Sequence, residues 1–127
     1  MGFVLIWDDE QIEDASDDFS YHVAQDLEDA LEDKESQIKW KNNMAELSRR
    51  FQDVISLDGL TVAEIRFSSM SSEYRALCVV VPEEKTLFYW ATVPKGGSHQ
   101  DRQLELMEEN SDEINRIVQK KLDQRSS

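Results

Sequence analysis

Apolar positions along the chain change their period twice. Phe19, Val23, Leu27 and Leu31 recur at every fourth residue, the spacing of one face of a helix. Asp17 and Asp18 stand just ahead, where carboxylates favour a first turn, so a helix is expected from about Ser16 or Asp17 to a break near Glu35 and Ser36. Trp40, Met44, Leu47, Phe51 and Val54 then follow at intervals of 4, 3, 4 and 3, which predicts a second amphipathic helix. Joined by a short connection, the two should form an antiparallel hairpin. Before them, the apolar run at residues 3–7, cut off by Asp8, Asp9 and Glu10, reads as a strand.

Beyond the turn signal Asp58-Gly59 the period shortens to two. Residues 61–67 alternate, with Ala63, Ile65 and Phe67 on one side and Val62, Glu64 and Arg66 on the other. Residues 68–73 are polar and read as a loop. Residues 74–81 and 86–93 are rich in β-branched and aromatic side chains, with a turn at Pro82 to Lys85 between them. Both carry apolar residues on both faces, which marks them as adjacent central strands of a three- or four-stranded antiparallel sheet. Pro94, Gly96 and Gly97 end the pattern. A closing helix is predicted over residues 101–122, with Leu104, Met107, Ile114, Ile117, Val118 and Leu122 as its apolar side and residues 123–127 as a frayed tail. The expectation is one α+β domain over residues 1–127 in the order β-α-α-β-β-β-α, its antiparallel sheet packed on the helical hairpin.

With 127 residues, 39% of them hydrophobic, the chain is long enough for one core. Its net charge of −13 is unevenly spread: residues 1–63 hold 16 Asp and Glu against 5 Lys and Arg, whereas residues 64–102 hold five of each. Such a balance argues against strong nonspecific nucleic-acid binding, which needs surplus positive charge. It leaves three readings open: a solvated helix face, adaptation to high salt, and mimicry of nucleic acid toward a basic partner. No stretch approaches the ~20 apolar residues of a membrane span, and the first residues lack the basic start and apolar stretch of a signal peptide. Gly2 is followed at position 6 by Ile, not the Ser or Thr of a myristoylation signal. The lone Cys78 allows no intramolecular disulfide and suits a reducing, cytoplasmic setting.

No metal or cofactor is expected. Gly96-Gly97 lacks the Lys-Ser/Thr of a phosphate loop. His22, His99 and Cys78 have no zinc-ligand spacing, and the carboxylates after Trp7 lack the alternation and central glycine of a calcium loop. What remains is a set of cations: Arg66, Arg75, Lys95, His99 and Arg102. In a β-meander Arg66 and Arg75 fall at one end of the sheet, and the third strand returns Lys95 and His99 to that end. Such a rim suits phosphate binding, transition-state neutralisation or proton donation to a leaving oxygen. The plainer reading pairs these cations with Glu64, Glu73 or the acidic helices. Arg75 stands out, because Leu77, Val79 and Val81 share its face and a guanidinium there needs a partner.

Ile65-Arg66-Phe67, Ser72-Glu73-Tyr74-Arg75-Ala76-Leu77-Cys78-Val79-Val80 and Leu87-Phe88-Tyr89-Trp90-Ala91-Thr92-Val93-Pro94-Lys95 together resemble the core of RelE/ParE-type toxins. The resemblance implies a RelE-like fold and a ribosome-dependent mRNA endonuclease that cleaves without metal, by attack of a ribose 2′-hydroxyl on the adjacent phosphate. Arg75 would support the scissile phosphate, with Arg66 and Lys95 as further basic positions and His99 or Arg102 as the late acid or base. An antitoxin protein, the ribosome and mRNA would be the partners. The chain departs from that pattern at Glu64, where a lysine is frequent, and at Gly96, where an arginine is. It also has no tyrosine after Tyr89, so a relative that has lost activity and kept a partner-binding role fits too. The alternative from another class is a noncatalytic acidic protein whose helical hairpin engages a basic partner.

Overall fold

The computed structural model describes residues 2–50 and 54–126. Among these residues the fold is α+β: five strands form one sheet, with helices against both of its faces. The strands are β1 (Val4–Ile6), β2 (Val54–Leu57), β3 (Leu60–Ser69), β4 (Ser72–Val81) and β5 (Thr86–Pro94), in the order β1-β5-β4-β3-β2. The helices are α1 (Asp9–Asp18), α2 (Tyr21–Ile38), α3 (Met44–Arg50), α4 (His99–Glu109) and α5 (Ser111–Ser126).

Strands β2 to β5 run as an antiparallel meander, and β4 and β5 are adjacent as their patterning predicts. The sheet is nonetheless mixed and five-stranded, because β1 lies parallel to β5. Two cores explain the two-sided apolarity of the central strands. On one face Leu27, Leu31, Ile38 and Leu47 of α2 and α3 pack on Ile65, Ala76, Cys78 and Leu87. On the other, Met107, Ile114, Val118 and Leu122 of α4 and α5 cover Val62, Leu77, Val79 and Phe88.

Three helical expectations are corrected. The first helix begins at Asp9, not near Ser16, and stops at Phe19. A new helix then starts at Ser20, whose hydroxyl accepts the Val23 N–H at 3.2 Å, an N-cap that outweighs the unbroken apolar spacing. The second expected helix shrinks to α3. Asn43 caps it by accepting the Glu46 N–H at 3.0 Å, which leaves Trp40 outside and 75% exposed. At its far end Val54 enters β2, drawn there by the Asp58-Gly59 turn that sets Leu57 opposite Leu60; Phe51 lies outside the described residues. The closing helix is two helices, parted at Asn110, whose side-chain amide donates to the Leu106 carbonyl at 2.8 Å. Residues expected to fray are helical through Ser126, as Leu122 is anchored in the second core.

Candidate functional site

The residues singled out from the sequence meet only in part. In the β3–β4 ladder Arg66 lies directly opposite Arg75, and Arg75 lies opposite Val93 on β5. The Lys95 N–H donates to the Glu73 carbonyl at 2.9 Å, so Lys95 joins them at that end of the sheet. Its ammonium reaches the Glu73 carboxylate at 2.9 Å. This contact and the Lys95 charge hold the Glu73 carboxyl below its ordinary range, with Arg75 and Arg66 adding to the effect. Arg75 is buried at 7% exposure, and one guanidinium N–H donates to the Tyr74 carbonyl at 3.0 Å.

His99 and Arg102 lie on the first turn of α4 and are exposed. Between them Gln100 donates its amide to the carboxylate of Glu64, which is buried on β3. The rim is therefore a patch of mixed charge. Two carboxylates sit among its cations, and the cation with the best geometry for phosphate is largely covered. Among the described residues, no group of three or more His, Cys, Asp or Glu is placed to hold a metal ion.

A second candidate lies on the opposite edge of β5. There β1 pairs only with Thr86–Phe88, so among the described residues no strand lies beside residues 90–94 on that side. A bulge at this point sets Leu77 opposite Ala91 and Cys78 opposite Tyr89, leaving Trp90 as the extra residue. Gln11 of α1 closes the upstream end: its Oε1 accepts the Asp8 N–H at 2.9 Å while its Nε2 donates to the Tyr89 carbonyl at 2.8 Å. Lys121 of α5 pairs with Asp8 at 2.6 Å and ties the same corner to the second helical layer.

Downstream, a groove of about 280 Å³ opens between α1 and the free edge, with Asp14, Asp18 and Phe19 on one side and Ala91 and Thr92 on the other. Trp90 and Gln103 line both this groove and an apolar cleft of about 270 Å³ whose walls include Leu106, Met107, Ile114 and Ile117. Gln11 and Gln100 belong to no sequence motif, since each acts through contacts distant in sequence, and Trp90 lies within the RelE/ParE-like segment without being singled out in it. For Trp90 the one sequence signal was a large aromatic beside Ala91 and Thr92 in a strand about to end. Comparison with protein-family models, curated proteins and solved structures finds no match.

Proposed function

We propose that the chain is a noncatalytic interaction domain that offers its acidic helical layer to a basic partner. One observation carries the reading. Helix α1 bears Asp9, Glu10, Glu13, Asp14, Asp17 and Asp18 with no basic residue, and none of these carboxylates is held in an ion pair among the described residues. Asp17 and Asp18 also close the helix where the backbone dipole is itself negative, so the fold sustains a strong local potential that it does not neutralise. Such a field attracts cationic surfaces and speeds their encounter, and a linear array of carboxylates is a form in which a protein can mimic nucleic acid. Titration with poly-lysine tests it. Binding should weaken steeply between ~50 and ~300 mM salt, as screening shortens, and should fall at least ~10-fold when the six α1 carboxylates become Asn or Gln. An affinity indifferent to those substitutions would sink the reading.

A second reading is favoured by the direct cross-strand pairing of Arg66 and Arg75 with Lys95 at the same end. It is a RelE-type, metal-independent mRNA endonuclease, with the RelE-like fold, an antitoxin, the ribosome and mRNA as partners, and a cytoplasmic setting. Arg75 would hold the scissile phosphate through its planar fork, and His99 or Arg102 would move the proton. Purified ribosomes carrying mRNA provide the test: cleavage by wild type should drop ~10²–10³-fold in Arg75→Ala. Intact mRNA with wild type rules this reading out.

A further inference from the structure

We infer that the free edge of β5 takes up an extended segment of a basic partner as an added strand, with the partner's basic side chains over Asp14 and Asp18 and its alternate apolar side chains toward the cleft beside Trp90. This rests on the interaction reading above and specifies how and where the partner is held.

Three features of the structure converge on this mode of recognition. The first is the sheet edge itself. Strand β1 stops after Ile6, opposite Phe88, and the chain leaves the sheet for α1. Among the described residues, no strand covers the outer side of β5 from Trp90 to Pro94, a length of about 13 Å at ~3.3 Å per residue. An edge of this kind presents main-chain donors and acceptors that an incoming strand can pair. Pro94 brings no N–H of its own, so it limits pairing at the far end, while Gln11 occupies the Tyr89 carbonyl at the near end. The vacancy fits roughly three to four residues.

The second feature is that the two sides of this edge differ in chemistry. Tyr89 and Thr92 point toward α1, their hydroxyls 2.6 Å apart, and the groove on that side is bordered by Asp14 and Asp18. Both carboxylates lie close enough to the Tyr89 phenol to help raise its pKa, after burial itself. Trp90 and Val93 face the other helical layer, where Leu106 and Ile117 stand 46% and 38% exposed at the apolar cleft. Successive side chains of an added strand point to opposite faces. One face would meet carboxylates and the other a tryptophan and aliphatic walls.

Charge selects the occupant. A second copy of this chain would bring another −13 to an edge already lined with acid, whereas Lys or Arg would meet carboxylates that no cation engages among the described residues. The segment that fits alternates basic and apolar residues. Binding by such a segment should be sensitive to sequence order, which a diffuse polyanion field is not.

The test uses full-length protein and three synthetic octapeptides: one alternating Lys and Val, one of the same composition with its lysines and valines in separate blocks, and the alternating peptide N-methylated at every second amide so that one edge cannot donate. Isothermal titration and backbone NMR shifts read the result. The alternating peptide should bind at least ~10-fold more tightly than either control, with shifts concentrated at residues 90–93. Asp14→Asn with Asp18→Asn, both exposed changes, should weaken it ~10-fold without lowering the melting temperature, and Leu106→Asp should weaken it independently. Equal binding of all three peptides with unchanged salt dependence would overturn strand addition while leaving the acidic-layer reading standing. Failure of both the peptides and poly-lysine to bind would overturn the two together. Concentration-dependent dimerisation through residues 90–93 would assign the edge to a second copy and overturn the proposal.

Discussion

Tyr89 shows how one buried side chain records its surroundings. It is 5% exposed, its hydroxyl shares a 2.6 Å hydrogen bond with Thr92, and its pKa is pushed up to about 12 chiefly by burial, with Asp18 and Asp14 contributing. A raised pKa means that the folded state holds the proton more tightly than the unfolded chain, whose tyrosine titrates near 10. The associated stability is full below pH ~10 and is lost as pH rises toward about 12, at up to ~1.4 kcal/mol per unit. The buried Cys78 thiol is pushed up by burial too, so it acts with the same sign from pH ~8.5 upward. Denaturant melts at pH 8 and pH 11 should show wild type losing up to ~5 kcal/mol more than the Tyr89→Phe, Cys78→Ala double variant. Equal losses would mean that neither proton is coupled to folding. At this scale the sequence was legible where one residue type contradicts its strand face. Arg75 was marked among Leu77, Val79 and Val81, and it is indeed buried. Gln11 and Gln100 were not legible, because an amide becomes informative only when folding brings it to Tyr89 or Glu64.

Among the elements, β3, β4 and β5 follow the expected pattern, whereas the bounds of the helices depart from it. Helix α1 buries only Ala15, with Ile12 packed at the margin of the core, so it leaves almost no periodic trace. Asp17 and Asp18, expected to open a later helix, instead close this one, and Asp9 and Glu10, expected only to end a strand, begin it. The Asn43 cap and the hairpin pull on Val54 likewise lie outside any count of apolar spacing. The loop expected at residues 68–73 is shorter still: Ser69 pairs with Ser72, leaving Met70 and Ser71 as a two-residue turn. Both adopt left-handed backbone, at φ 50° and 67°, as the primed turns of tight hairpins require. Side chains with a Cβ are strained there, and Asn-Gly is the preferred pair. Met70→Asn with Ser71→Gly should therefore stabilise the protein by ~0.5–1 kcal/mol net of the glycine's cost in the unfolded chain. Differential scanning calorimetry would register this as a melting temperature ~2–4 °C higher. An unchanged or lowered value would show that the hairpin relaxes its turn in solution.

Over the whole molecule, charge and packing are laid out on different plans. The sheet is covered on both faces, yet the acid is gathered on one side of the fold: residues 1–63 carry 16 Asp and Glu and only 5 Lys and Arg. Those residues supply α1, α2 and α3, the layer against one face of the sheet. Within α1 no carboxylate has an ion-pair partner among the described residues, so mutual repulsion is relieved only by water and dissolved ions. The Debye length is ~30 Å at 0.01 M and ~8 Å at physiological ionic strength. At the lower salt every carboxylate of this layer therefore repels every other, and at the higher salt only near neighbours interact. The charges are exposed, which keeps each pairwise contribution small, but they share one sign and their effects accumulate. The melting temperature should rise between 0.01 M and 0.5 M KCl, most of it below ~0.15 M where the screening length changes fastest. Neutralising α1 by Asn and Gln substitution should raise the low-salt value and flatten the curve. Neutralising the same number of acids on α4 and α5, where Arg102, Arg116, Lys120, Lys121 and Arg125 are interspersed, should change the slope far less. A melting temperature that stays level for wild type across this range would show that the layer is not under electrostatic stress. If both neutralised variants respond alike, the stress belongs to the net charge alone and not to the acidic layer.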